Sequence, residues 1–193
     1  MSAILIFDYD PEWALQFKEL KDIFETHLDG LIRGIEHVGS MSVAGLAAKP
    51  ILDIDIIIGD TDQLDAVISK LSGIGYRYQG DLGIPDRYAF SATNEYIPIT
   101  PTKRRWPKHH LYCCVSGSVS LRNHLILRDT LRNNQDLANE YADLKRKLAG
   151  IYPSDMDAYI EGKSSFIGKI LQRGGMSQAE VGDIERKNKA KGA

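Results

Sequence analysis

Apolar residues recur along the chain at two spacings, and the alternation between them lays out the expected elements. Trp13, Phe17, Leu20, Phe24 and Leu28 fall three or four positions apart, the interval that gathers side chains on one face of a helix. Asp10 precedes them as N-cap and Pro11 as first helical residue, and Gly30 ends the run. Residues 31–38 read as a strand. Residues 51–58 read as a second, with Ile54, Ile56 and Ile58 on one face and Asp53 and Asp55 on the other. Leu64, Val67, Ile68 and Leu71 mark the next helix, capped by Asp60 or Thr61 and stopped by Gly73–Gly75.

Three further strands are expected at 76–79, 88–91 and 110–115, the first two separated by a Gly/Pro loop and the last two by an irregular stretch broken at Pro98 and Pro101. Helical spacing then takes over: Leu121, Leu125 and Leu131; Leu137, Tyr141, Leu144 and Leu148; Tyr159, Ile160, Phe166, Ile167 and Ile170. The predicted fold is α/β (α+β), a small mixed β-sheet with helices packed over it and a helical C-terminal part from about residue 118. One domain is expected over 1–173. A charged, disordered tail is expected over 174–193, where apolar residues are few.

With 193 residues and a formal net charge of -2, the chain is long enough for a real core and carries no field of one sign. Duplex nucleic acid and a membrane surface are therefore not expected as partners, and any phosphate binding must be local. The only apolar run near the start is 4–7, too short for a signal core or a membrane span, which points to a cytoplasmic protein. Cys113 and Cys114 are adjacent in a strand, so they face opposite sides and read as buried small residues without a disulfide. The basic run 103–108, with Trp106 inside it, reads as a solvated loop; the alternative is a contact to a phosphorylated ring through charge and stacking.

Chemistry concentrates between His37 and Ile58. Two carboxylates on one strand face repel each other, and a hard cation, magnesium or manganese, relieves that repulsion. Just upstream, Gly39 permits close backbone approach, the hydroxyls of Ser40 and Ser42 can hold phosphate oxygens, and Lys49 can add a positive charge. Further candidates are His110, which shares a strand face with Tyr112, Arg87, and the pair Arg128 and Arg132, which would reach an anionic substrate or form an ion-paired helix face with Asp129. Lys145 has the same two readings.

The run His37-Val38-Gly39-Ser40 through Lys49-Pro50 to Asp53-Ile54-Asp55 resembles the GrpB family, placed in the polymerase-beta-like nucleotidyltransferase superfamily. Gly83–Arg87, His109–Tyr112, Leu127–Arg132 and Tyr141–Lys145 resemble later blocks of that family, while Met41 and Ala44 stand where threonine and proline are usual. The resemblance implies a sheet of nucleotidyltransferase type, a Gly-Ser turn for phosphate, and an acid-x-acid strand for the metal. It also implies a third acid on a following strand, where this chain has His110 and Tyr112. The expected activity is transfer of a nucleotidyl group from a nucleoside triphosphate to a small-molecule acceptor. A non-catalytic protein binding a nucleotide or phosphorylated metabolite on the same fold is the alternative.

Overall fold

A computed structural model describes residues 3–189. The chain forms two compact units: Pro11–Val38 with Ile51–Arg122, and the residues up to Asp10 with Gly39–Pro50 and the segment from Asn123 onward. Each unit is built from segments distant in sequence.

The first unit holds the sheet. Its elements are α1 (Glu12–His27), β1 (Gly34–Val38), β2 (Leu52–Ile58), α2 (Leu64–Gly73), β3 (Tyr76–Tyr78), β4 (Arg87–Ala92) and β5 (His109–Val115). The strand order is β1-β2-β5-β4-β3. β2 and β5 run parallel and all other neighbours antiparallel, so the sheet is mixed, as its pattern predicts. The cap of α1 differs from expectation: Pro11 is the N-cap residue and no side chain caps the helix. Ahead of α2, Asp60 accepts from the Asp62 amide while Gln63 reaches back to the Asp60 amide, a complete capping box.

The period-two pattern of β2 gives the sheet two unlike faces. Ile54, Ile56 and Ile58 are wholly buried, as are Leu20 and Phe24 of α1. Phe17 stacks on His37 with ring centroids 4.4 Å apart, and Phe24 tilts against Tyr76 at 5.8 Å. Each such aliphatic or aromatic side chain contributes roughly 1.5–3 kcal/mol by leaving water. The opposite face carries Asp53 and Asp55.

In the second unit, Val43, Leu46 and Ala47 pack with Leu131, Tyr141, Ala142 and Ile170, joining the 39–50 segment to α3 (Val119–Arg132), α4 (Gln135–Ile151) and α5 (Met156–Arg173). Phe7 bridges Ala48. The expected disordered tail requires correction. Gln178–Lys189 is a helix, α6, and its Val181 is buried with Leu171 and Met176. Val181 and Ile184, three positions apart on one face of α6, pack with Met176 just ahead of the helix and with Leu171, which suffices to seat it despite its charge. Residues 190–193 of that expected tail lie outside the described residues.

Candidate functional site

Asp53 and Asp55 share a face of β2, and the register shows what flanks them. On the parallel neighbour, Asp53 pairs with His110 and Asp55 with Tyr112; on the antiparallel neighbour, Asp55 pairs with Glu36. His110 Nδ1 lies 2.9 Å from Asp53 Oδ1. When that nitrogen carries the proton, Nε2 is left with its lone pair. Asp55 is fully buried, whereas the Asp53 side chain is 32% exposed. Water and ligands therefore reach the pair at Asp53.

The two adjacent histidines separate as strand alternation requires. His109 turns to the α1 side, where its Nε2 meets the Tyr76 hydroxyl at 2.5 Å and its Nδ1 the Pro107 carbonyl at 2.8 Å. Burial lowers its pKa from the usual imidazole value, which keeps it neutral and structural. His37, stacked on Phe17, is likewise part of the helix-covered face. Cys113 and Cys114 are free and buried, and burial pushes the Cys113 thiol up to about 12.

Arg87 joins the acid face through Tyr112. Its guanidinium lies 4.4 Å from the Tyr112 ring centroid, and it is buried with Nε and Nη2 lacking hydrogen-bond partners among the described residues. Burial raises the pKa of the Tyr112 phenol, Arg87 lowers it, and Asp53 and Asp55 raise it further, so opposite charges flank one ring.

The second unit assembles the expected phosphate segment. Gly39 has φ 68° and ψ -172°, a conformation essentially confined to glycine, and it opens a 3-10 turn over Ser40–Ser42. The Ser42 hydroxyl donates to the Gly39 carbonyl at 2.7 Å and is buried; it locks the turn and has no proton left for a phosphate. Arg132 Nε donates to the Ser42 carbonyl at 3.0 Å. Lys49 departs from the expected placement: its Nζ reaches Met156 Sδ at 3.4 Å and sits over the Tyr159 ring. Arg128 is buried and pairs with Asp129 at 2.7 Å, the ion-paired alternative.

Lys145 supplies what Lys49 does not. Its ammonium donates to Ser40 Oγ at 2.9 Å and to the Ala47 carbonyl, and it lies 4.6 Å from the Tyr141 ring centroid. Burial first, and then Lys163 and Arg146, lower its pKa to about 7. The signal was present in the sequence: Lys145 stands four residues after Tyr141 and three before Leu148, on the apolar stripe of α4. Glu36, the acid opposite Asp55, is the residue that the sequence reading missed; a period-two count back from Val38 places it on that face.

Among the described residues, no group of three or more His, Cys, Asp and Glu side chains could hold a metal ion. Two hard carboxylates on one strand face nonetheless fit magnesium, which is bound by one or two carboxylates together with substrate phosphates rather than by an all-protein cage. Among the described residues no helix is long and apolar enough to cross a membrane.

YqkA of Bacillus subtilis, a UPF0157 protein, is 32% identical over 159 residues, which cover 82% of this chain and 43% of that protein. This chain thus spans less than half the length of that relative. The crystal structure of conserved protein GrpB from Enterococcus faecalis is similar with a TM-score of 0.74 at 31% identity, covering 88% of this chain and 96% of that one. A likeness of fold extends to the GLD-2/RNP-8 complex, with a TM-score of 0.53 at 14% identity over 90% of this chain and 63% of that one. Residues 3–173 match the GrpB protein family, and the chain belongs to it.

Proposed function

We propose that this protein is a metal-dependent nucleotidyltransferase, cytoplasmic, moving a nucleotidyl group from a nucleoside triphosphate to a small-molecule acceptor. The observation that carries the reading is the Asp53–His110 contact, with Asp55 next on the same strand face. Asp53 and Asp55 would hold Mg2+ or Mn2+; when bound, the cation neutralises phosphate charge and lowers the pKa of the attacking hydroxyl. Within the other unit, Ser40 and Lys145 place a hydroxyl and an ammonium side by side on a turn fixed by Gly39 and Ser42, an anion-binding element of its own. Arg87 adds positive charge to the acid face and Arg132 to the Gly39–Ser42 turn. The acceptor oxygen forms its bond to the α-phosphorus while the bond to the β-phosphate oxygen breaks and pyrophosphate leaves. His110, oriented by Asp53, takes the acceptor's proton on Nε2.

One observation favours a second reading, a protein that binds a nucleotide or phosphorylated metabolite without turnover. β5 sets His110 and Tyr112 beside the aspartates where a third carboxylate is expected, and neither side chain brings negative charge. Titration calorimetry with ATP, GTP, CTP and UTP, with and without magnesium, tests binding. Pyrophosphate release in the presence of a metabolite pool separates the two readings. If Asp53→Asn leaves both metal-dependent binding and pyrophosphate release unaltered, the acid face is not the site.

A further inference from the structure

The sheet unit contains a cavity of about 420 Å³ that the mechanism above does not use. It opens at the end of the sheet where β2 and β5 begin, between the strands and the irregular stretch after β4, and its lining includes Ile51, Ile97, Trp106, Asn94, Lys108 and His110. This volume suits a small metabolite, for which pockets run roughly 300–1,000 Å³.

The lining is divided by chemistry. Ile97 and Trp106 are buried and give an apolar, flat-sided wall. The Trp106 indole N–H is already committed to the Pro98 carbonyl at 2.8 Å, and Arg104 covers a face of the ring at 4.1 Å, so the ring is held in place before any ligand arrives. His109, with both ring nitrogens engaged, is wall and not ligand. Around the rim, the Glu95 charge is balanced by Arg105 at 3.0 Å. Lys108 has no ion-pair partner among the described residues, leaving the rim one net positive charge. His110 belongs both to this lining and to the Asp53 contact, which ties the cavity to the acid face.

We propose that this cavity is the acceptor pocket, taking a small hydroxylated anion, a carboxylate or a phosphate monoester, with its anionic group at Lys108 and its hydroxyl at His110. The inference rests on the transferase reading for the word acceptor, but the pocket and its ligand class are testable without nucleotide or metal. A single charge on the rim favours an anion, the Trp106 wall favours a body with an apolar face, and a volume of about 420 Å³ suits a small molecule.

The test is titration calorimetry of the full chain with mandelate, phenyl phosphate and benzyl alcohol, in the absence of nucleotide and metal. At least one anion is expected to bind about fivefold more tightly than the neutral alcohol, and Lys108→Gln, an exposed substitution, is expected to erase that preference. Which anion binds better identifies the carboxylate or phosphate source. Ala92→Leu, which adds bulk to the cavity lining, is expected to abolish binding of all three. No heat with any probe, equal affinity for the alcohol and the anions, or binding that survives either substitution unchanged overturns the proposal. Nucleotide titrations of the same variants are expected to match the parent. Failure of nucleotide binding in the parent would overturn the transferase reading and leave the pocket result standing on its own.

Discussion

Lys145 donates from Nζ to the Ser40 hydroxyl at 2.9 Å, across 105 positions of sequence. Its pKa of about 7, set mainly by burial, gives the contact a pH dependence. In the folded state the amine gives up its proton well below the unfolded value, so between about pH 7 and 10.5 the unfolded chain binds more protons, and stability rises with pH across that window. Urea unfolding of the parent and of Lys145→Met, at about pH 6 and about pH 10, is expected to show the parent gaining on the order of a few kcal/mol relative to the variant. Parallel behaviour of the two would show that the amine is not held in this environment.

The same contact predicts how phosphate binding responds to pH. A bound phosphate favours the ammonium form, so nucleotide affinity is expected to fall as pH rises above about 7, with proton uptake on binding. Calorimetry in buffers of different ionisation heat measures that uptake. Lys145→Met is expected to abolish the uptake and weaken binding by about tenfold or more.

Asp53 is the exposed member of the acid pair, and its replacement separates function from stability. Asp53→Asn is expected to remove the magnesium-dependent part of nucleotide binding while changing stability by about 1 kcal/mol or less, since its contact to His110 is open to solvent. The two readouts are calorimetry with and without magnesium and a urea midpoint.

Arg87 is buried with two nitrogens lacking hydrogen-bond partners among the described residues. Leaving buried donors unsatisfied costs about 1–3 kcal/mol, which offsets much of what stacking on Tyr112 contributes. Arg87→Met is therefore expected to leave thermal stability within about 1 kcal/mol of the parent and to weaken nucleotide binding. A large loss of stability with unaltered binding would make Arg87 a purely structural residue.

Gly39 and α6 test the fold itself. Gly39→Ala forces a side chain into a positive-φ conformation and is expected to cost about 1–3 kcal/mol in chemical denaturation. Val181→Asp buries a charge among Leu171 and Met176. Hydrogen exchange is expected to show loss of protection over α6 with the amides of β2 and β5 unaffected.

Much of this site was legible because strand alternation is a local rule. A spacing of two put Asp53 and Asp55 on one face, separated His109 from His110, and set Ile54, Ile56 and Ile58 into the core, all without knowledge of the partners. Helix spacing located α1 through α5 for the same reason. It left Lys145 open between two roles because spacing places a lysine on the apolar stripe without naming its partner, and it misjudged the stretch after residue 174 because charge hid the few apolar contacts of α6.

What the sequence determined by itself is the direction in which each side chain leaves its own strand or helix, since backbone geometry imposes that period on any residues placed there. What only the tertiary structure decided is who meets whom: Ser40 with Lys145, Arg132 with the Ser42 carbonyl, Lys49 with Met156 and Tyr159, Tyr112 under Arg87. Those pairings arise when distant segments are brought together by burying apolar surface. That force has no direction and does not record which polar groups it carries along.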